Sequence, residues 1–196
     1  SSNYMYCKQH MTRKIPMSHS TLLPGSKAPV LQLSTLAAPS WDLHEQSPET
    51  FTMIVFYRGL HCPKCKQQLE ELQSYYARFE EIGVSIIAVS MDSEERAQRT
   101  RNEWDIPNIN IGYGLSQDTA EQWGLFLSER VEKKPPALTE PLLFSEPSLF
   151  LIQADGTIYS ASIQTMPFAR PHCADILNAI NFIKDKNYPA RGTFKA

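Results

Sequence analysis

The stretch that decides the fold runs from Phe51 to Ser90 and reads FTMIVFYRGLHCPKCKQQLEELQSYYARFEEIGVSIIAVS. Its first part, Phe51 to Tyr57, is almost wholly apolar and rich in β-branched and aromatic residues, as in a strand buried on both faces. After Cys62 the apolar residues recur at steps of three and four, which predicts an amphipathic helix that ends near Gly83. Val84 to Ser90 is again apolar and predicts a second buried, parallel strand. Strand, helix and strand are the core unit of an α/β fold.

The chain beyond this unit predicts six further elements on the carboxyl side. A helix, a short strand and a second helix are expected at Ser93 to Trp104, Ile109 to Ile111 and Gln117 to Leu127. Two strands, Ser148 to Gln153 and Thr157 to Ile163, flank the sequence Ala-Asp-Gly, a strong signal for a hairpin. A last helix is expected from Pro171 to Lys184.

The amino-terminal part predicts a leader and a small peripheral hairpin. Residues 1–20 are polar and show neither hydrophobic period, so they are predicted to be a flexible leader. The hairpin follows at Val30 to Leu33 and Trp41 to Leu43. We expect one domain over residues 21–190 and a tail at 191–196. The proline-rich segment Val131 to Pro147 is expected to be a surface insertion that shapes a substrate rim.

Composition excludes several classes of protein. The chain has 196 residues, 42% of them hydrophobic, which suits one domain with a sizeable core. A formal net charge of −2 without a dense Lys/Arg cluster argues against a nucleic-acid partner. No apolar run approaches the length needed to span a bilayer, so no membrane partner is expected. Four cysteines, two of them in one motif, favour a reducing compartment, most simply the cytoplasm.

Cys62 and Cys65 are the candidate catalytic residues. If Cys62 caps the helix and Pro63 takes the first helical position, the proline loses no helical hydrogen bond, and Cys62 faces the free amides and positive dipole end. Both favour a nucleophilic thiolate at Cys62. Cys65, one turn later, is close enough to attack an intermediate formed on Cys62. Positive charge near the pair comes from Arg58, His61, Lys64 and Lys66.

Other interpretations of these residues stay open. The pair could be a structural disulfide, although so short a loop would add only about 2 kcal/mol. It could also hold a metal, for which His172 and Cys173 are the best further ligands. His61 is either a charge-tuning or exposed loop residue or a proton donor, and Cys7 and Cys173 are incidental thiols or partners of the pair.

Several motifs along the chain carry a family resemblance. They are Pro24-Gly25 with Pro29, Trp41-Asp42-Leu43, Val55-Phe56-Tyr57-Arg58-Gly59 leading into Cys62-Pro63-Lys64-Cys65, and Pro147-Ser148-Leu149-Phe150-Leu151-Ile152 before Asp155-Gly156. From about Leu22 to Lys186 the chain resembles the peroxiredoxin-like (AhpC/TSA, redoxin) branch of the thioredoxin-fold superfamily. The resemblance implies an α/β, thioredoxin-like three-layer fold, with a central mixed β-sheet flanked by helices and an N-terminal hairpin.

The resemblance also has consequences for the site. Pro147 matches the cis-proline that thioredoxins pack beside their dithiol. Peroxiredoxins place a proline and a Ser or Thr seven and three residues before the peroxidatic cysteine, where this chain has Val55 and Gly59. They also place an arginine before the later strand, where this chain has Pro147, so Arg58 is the candidate substitute for its charge.

These observations predict a thiol-dependent antioxidant enzyme that cycles Cys62 and Cys65 between dithiol and disulfide. Its substrate is a disulfide or a hydroperoxide, and its electrons come from an external thiol donor of the thioredoxin or glutathione type. Arg58, Pro63 and Pro147 are the predicted supporting residues, and no cofactor or metal is expected. The alternative is a metal-binding or redox-inert interaction module that uses the same cysteine pair structurally.

Overall fold

The computed structural model describes residues 22–131 and 139–195. The leader therefore lies outside the described residues, as does Cys7. Within the described part the strands are, in chain order, β1 (Gln32–Thr35), β2 (Trp41–Asp42), β3 (Phe51–Phe56), β4 (Val84–Val89), β5 (Asn110–Tyr113), β6 (Leu127–Glu129), β7 (Leu143–Ser145), β8 (Ser148–Gln153) and β9 (Ile158–Ile163). The α-helices are α1 (Pro63–Glu81), α2 (Glu94–Glu103), α3 (Gln117–Gln122) and α4 (Cys173–Lys186).

Seven strands form one mixed sheet in the order β2-β1-β5-β4-β3-β8-β9. Strand β3 lies parallel to β4 and antiparallel to β8, and its last residue, Phe56, pairs with Val89 and Ser148. The predicted N-terminal hairpin joins this sheet, because β1 pairs with β2 on one side and with β5 on the other. The predicted mixed α/β fold with a central sheet flanked by helices is confirmed.

Side chains of β3 point alternately into two cores on opposite faces of the sheet. Met53 and Val55 lie in a core with residues of α1, α2 and α4, whereas Ile54 and Phe56 lie in a second core with residues of α3. All six residues of β3 are buried, as the sequence predicts. Strand β3 is therefore packed on both faces up to its last residue. The loop that leads to the cysteines begins directly after it.

Helix α1 ends where the sequence predicts, with Ile82 as its cap and Gly83 at a positive φ of 82°. Helix α3 is shorter than predicted, because it stops at Gln122 instead of reaching Leu127. Gly124 has a positive φ of 66° and ends the helix, and Leu127 begins β6. None of the described helices is both long enough and apolar enough to cross a membrane.

The described part of the proline-rich insertion is exposed or half-buried up to Leu143, so the prediction of a surface segment is wrong there only for Phe144 to Pro147. Residues 132–138 lie outside the described part. Strand β7 pairs antiparallel with β6 in a separate two-stranded sheet. The residues that follow, up to Pro147, are buried. Ladder hydrogen bonds with β6 satisfy the backbone of β7, which the sequence pattern did not reveal.

Candidate active site

Cys62 lies between β3 and α1, at the cap position of the helix. Its backbone is extended, with φ −100° and ψ 108°, and Pro63 takes the first helical position. The backbone N–H of Cys65 donates to Cys62 Sγ at 3.2 Å. The sulfur therefore satisfies one of the amides that the helix leaves free, which confirms the predicted capping geometry.

Both cysteines of the motif are free thiols in this structure, and both are buried. Cys62 is 2% exposed and Cys65 is fully enclosed. They lie in the same apolar cluster, together with side chains of α1 such as Leu69 and Leu72. Water and large molecules thus have little access to the sulfur atoms.

The two thiols are electrostatically unequal. The pKa of Cys62 is lowered to about 5, first by the hydrogen bond from the Cys65 side chain and further by the Cys65 backbone N–H and by Arg58 and Arg170, against the effect of burial. The pKa of Cys65 is raised, first by burial and then by the neighbouring Cys62. At neutral pH the pair thus holds one thiolate, on Cys62, and one thiol, on Cys65.

Arg58, a predicted supporting residue, lies against the arm formed by β6 and β7. Its Nε is 3.1 Å from Glu146 Oε2, and its guanidinium stacks over the ring of Phe144 at 4.9 Å. Ser128 Oγ donates to the other carboxylate oxygen of Glu146 at 2.8 Å. Arg58 also reaches the dithiol through its backbone, because its N–H donates to Cys65 Sγ at 3.4 Å.

Arg170 is a site residue that the sequence did not identify. It lies in the loop before α4, and its Nη2 is 3.3 Å from Cys65 Sγ and 3.7 Å from Cys62 Sγ. Two further hydrogen bonds hold the guanidinium, from Nε to the Pro167 carbonyl at 2.8 Å and from Nη1 to Gln68 Oε1 at 2.6 Å. Only a lone arginine between Ala169 and Pro171 marks it in the sequence, and no spacing links it to a motif more than 100 residues earlier.

The loop before Cys62 is held by a buried carboxylate. Leu60 N–H donates to Asp92 Oδ2 at 2.8 Å, and Arg96 Nε donates to Asp92 Oδ1 at 3.0 Å. Gly59 has a φ of 139°, and a Cβ built on it would lie 2.8 Å from Asp92 Oδ1. A side chain at position 59 therefore needs a strained backbone and a displaced carboxylate, which gives a physical reason for the missing Ser or Thr hydroxyl.

His61 is not an exposed loop residue. Its ring meets Phe144 edge-on with centroids 4.8 Å apart, and neither ring nitrogen is exposed or hydrogen-bonded to a described residue. Burial, together with the positive charge of Arg58, lowers the pKa of His61 to about 4. The imidazole is therefore neutral at physiological pH and adds no positive charge beside Cys62.

Pro147 does not have the predicted geometry. The described residues contain no cis peptide bond, so the bond before Pro147 is trans and the cis-proline prediction is wrong. The chain here runs straight from β7 into β8, with the Pro147 carbonyl accepting from Gln164 N–H at 3.0 Å. A trans bond suits this extended path because no tight turn is required.

The residues considered for a metal site do not form one within the described part of the chain. No group of three or more His, Cys, Asp or Glu side chains is placed there to hold a metal ion. His172 is the cap residue of α4, and Cys173 is a buried thiol whose pKa is raised to about 12, chiefly by burial.

Two cavities flank the dithiol. One, of about 240 Å³, reaches Cys62 and has Leu60, Pro63 and Trp104 among its walls. The other, of about 390 Å³, lies between the first turns of α1 and the loop before α4, with Lys64, Gln68 and Arg170 in its lining.

Comparison with known proteins identifies the family. The profile of the AhpC/TSA family matches residues 24–161, more than two-thirds of the chain. The chain belongs to the AhpC/TSA family. This AhpC/TSA protein is 24% identical over 139 residues to alkyl hydroperoxide reductase C of Staphylococcus epidermidis, covering 71% of this chain and 67% of the relative. It is 26% identical over 151 residues to alkyl hydroperoxide reductase C of Ferdinandcohnia aciditolerans, covering 74% and 80%.

Solved structures share the fold of this AhpC/TSA protein at low sequence identity. AhpC of Enterococcus faecalis superposes with a TM-score of 0.66 at 16% identity, covering 85% of this chain and 96% of the other. Peroxidoxin BcpB of Mycobacterium tuberculosis gives a TM-score of 0.65 at 14% identity, covering 83% and 98%. Membership of the AhpC/TSA family makes the protein a thiol-dependent antioxidant oxidoreductase of the peroxiredoxin type.

Proposed function

We propose that this enzyme reduces hydroperoxides with Cys62 as the attacking thiolate and Cys65 as the resolving thiol. The observation that carries the proposal is the unequal pair, in which a capped, low-pKa Cys62 sits one helical turn from a protonated Cys65. An attacking thiol works best when it is already ionised at ambient pH. A resolving thiol should wait until there is an intermediate to attack.

The burial of the pair favours a small oxidant. Cys62 is only 2% exposed, and the cavity that reaches it has a volume of about 240 Å³. A hydroperoxide fits such a space, whereas a disulfide within a folded protein has to expose Cys62 before it can react. The relatives named alkyl hydroperoxide reductase C support the same substrate class.

The proposed cycle balances as follows. The Cys62 thiolate attacks the terminal oxygen of the hydroperoxide, an S–O bond forms, the O–O bond breaks, and the departing oxygen takes a proton from water. Cys65 then attacks the sulfenic sulfur of Cys62, a disulfide forms, and hydroxide leaves and is protonated to water. Two electrons have passed to the peroxide, and an external thiol donor of the thioredoxin or glutathione type restores both thiols. Arg58 and Pro63 support Cys62 through charge and helix geometry.

A second candidate substrate is a disulfide. Gly59 supplies no hydroxyl to hold a peroxide, and Asp92 leaves no room for one. In this version Cys62 attacks the disulfide and Cys65 resolves the mixed disulfide.

The cytoplasmic location stays a prediction from cysteine usage.

The deciding experiment mixes reduced protein rapidly with hydrogen peroxide or with a low-molecular-weight disulfide, and compares the second-order rate constants. We expect Cys62→Ser to abolish reaction, since the attacking thiolate is gone, and Cys65→Ser to accumulate a sulfenic acid on Cys62 that dimedone traps. Cys173→Ser is the matched control, a buried thiol outside the motif, and should behave as wild type.

Three outcomes contradict the proposal. Equal peroxide consumption by wild type and Cys62→Ser removes Cys62 from the mechanism. Reaction with disulfides much faster than with peroxide makes disulfide reduction the function. Stoichiometric zinc or iron in untagged protein favours the metal-binding alternative.

A further inference from the structure

The two sulfur atoms share one arginine, and it lies closer to the resolving thiol. Each sulfur accepts one backbone N–H, Cys62 from Cys65 at 3.2 Å and Cys65 from Arg58 at 3.4 Å. Nη2 of Arg170 then bridges them, at 3.3 Å from Cys65 Sγ and 3.7 Å from Cys62 Sγ. The geometry therefore places the side-chain cation nearer to the fully enclosed thiol.

The resolving step presents a solvation problem that Arg170 is placed to solve. Cys65 is fully enclosed in the apolar cluster that contains Leu69 and Leu72, yet it has to become a thiolate to attack Cys62. A buried anion without a partner is costly, and a cation in contact with it offsets much of that cost. Of the described side chains, Arg170 is the cation hydrogen-bonded to Cys65 Sγ.

The two arginines near the pair differ in how much charge they can offer. Arg58 divides its charge between the buried carboxylate of Glu146 and Cys62, whose pKa it helps to lower. Arg170 makes no ion pair with a carboxylate in the described residues; its other partners are the amide of Gln68 and the carbonyl of Pro167. The charge of Arg170 is therefore available to the sulfur atoms. Its two neutral partners hold the guanidinium in the orientation that points Nη2 at the sulfur atoms.

We propose that Arg170 is the catalytic residue for disulfide closure, because it stabilises the Cys65 thiolate that attacks oxidised Cys62. The proposal rests on the thiol cycle proposed above. In the reduced enzyme the Cys62 thiolate competes for Arg170 and opposes a second negative charge. Once Cys62 carries an oxygen or a mixed disulfide, its negative charge is gone. Arg170 can then pair with the Cys65 thiolate alone.

Closure then proceeds with a balanced transfer of bonds and electrons. The Cys65 thiolate attacks Cys62 Sγ, an S–S bond forms, the S–O bond or the mixed disulfide breaks, and the departing hydroxide or thiolate takes up a proton in place of the one that Cys65 has lost. When the external donor later attacks Cys62 in the disulfide, Cys65 is the leaving group, and Arg170 stabilises the same thiolate again. Arg170 thus serves resolution and reduction, and oxidation of Cys62 acts as the trigger that ionises the resolver.

Dithiodipyridine is the probe that separates the two steps. Attack by Cys62 releases the first pyridinethione and leaves a mixed disulfide, and closure by Cys65 releases the second, so one absorbance trace reports both rates. The probe is neutral, so removing the arginine does not change its electrostatic attraction to the site. It contains no peroxide bond, so a failure of the proposed peroxidase function leaves this test intact.

We expect Arg170→Gln to leave the first release within about twofold of wild type and to slow the second by about threefold to tenfold at neutral pH. This range assumes that the pKa of Cys65 in the intermediate rises by about one to two units, and that higher intrinsic nucleophilicity offsets about half of the lost ionisation. The pH midpoint of the second release should rise by the same one to two units. Arg170→Lys keeps the charge and should recover much of the rate, and Arg99→Gln, at an exposed pair with Glu103, is the matched control.

The first release also shows in the same sample that the variant is folded with a competent Cys62. Equal slowing of both releases would overturn the proposal, because Arg170 then serves Cys62 or the fold. So would slowing of the first release alone, or a second release that is unchanged in rate and pH midpoint. A loss of rate that Arg170→Lys reproduces in full would also overturn it, because a positive charge at this position would then not stabilise the Cys65 thiolate.

Discussion

The hydrogen bond from the Cys65 side chain is the largest influence that lowers the pKa of Cys62. Removing this donor should therefore raise the pKa of Cys62 by a measurable amount. Cys65→Ala deletes the donor, whereas Cys65→Ser replaces S–H by O–H and keeps a donor at the same place. Arg170 and the backbone N–H of residue 65 remain beside Cys62 in both variants, so they do not distinguish them. The comparison thus isolates one hydrogen bond to a thiolate.

The expected size follows from the strength of such bonds. A hydrogen bond to a charged group is worth about 1.5–3 kcal/mol, and one pKa unit corresponds to about 1.4 kcal/mol. Cys65→Ala should therefore raise the pKa of Cys62 by about one to two units, from about 5 to between about 6 and 7. Cys65→Ser should stay closer to wild type.

The assay is the rate of alkylation by iodoacetamide as a function of pH, because this reagent reacts with the thiolate and needs no resolving thiol. Half a unit above the wild-type pKa, the thiolate fraction in Cys65→Ala should be lower by about threefold to twenty-five-fold, whereas at neutral pH the difference shrinks to about twofold or less. Identical pH midpoints for the alanine and serine variants would refute the reasoning. So would a midpoint in Cys65→Ala that does not rise.

Two further predictions concern the loop before Cys62. Gly59→Ala should lower the free energy of unfolding by about 2–4 kcal/mol, because the strain of a positive φ adds to the cost of displacing the Asp92 carboxylate. The measurement is urea unfolding, and the control is Gly114→Ala, where an added Cβ meets nothing within 4 Å. An equal loss of stability in both variants would show that only backbone conformation matters. His61→Phe should reduce the fall in the free energy of unfolding that the wild type shows at acid pH. The pKa of His61 in the folded protein is about 4, below its ordinary 6.5. The neutral imidazole therefore contributes its full stability above pH 6.5, and this stability is lost as the pH falls from 6.5 to about 4. After allowance for partial solvent screening, the wild type should lose about 2 kcal/mol there that the variant does not lose; parallel profiles for the two proteins would contradict it.

The elements that the sequence predicted well are those with a strong local pattern. The two buried strands β3 and β4, the amphipathic α1 between them and the hairpin around Asp155-Gly156 all appear close to their predicted bounds. Helix α3 was overextended because Trp123 continues its apolar spacing, although Gly124 turns the chain away. Strand β7 was missed because a pairing with β6 across a proline-rich segment leaves no period in either strand.

For the candidate site, sequence reasoning found the residues adjacent to the motif and missed those that reach it from afar. Capping by Cys62 and the place of Pro63 follow from local helix chemistry and were predicted. Arg170 and Asp92 come from other elements, and only the packing of those elements brings them to the dithiol. Pro147 shows the opposite error, since a position matched by resemblance has a trans bond in the extended connection to β8.

The sequence by itself determined that an apolar strand delivers a Cys-x-x-Cys pair to the first turn of a helix, because hydrophobic period, proline placement and capping are local properties. Capping also favours the thiolate on Cys62 from the sequence alone, but only tertiary structure decided how deeply the pair is buried and which arginines reach it. Burial, the arm that holds Arg58 and the contact of Arg170 with both sulfur atoms all depend on residues far apart in the chain. Charge and solvation act through space, so the raised pKa of Cys65 and the arginine contacts of the pair are set by neighbours that only the folded chain assembles.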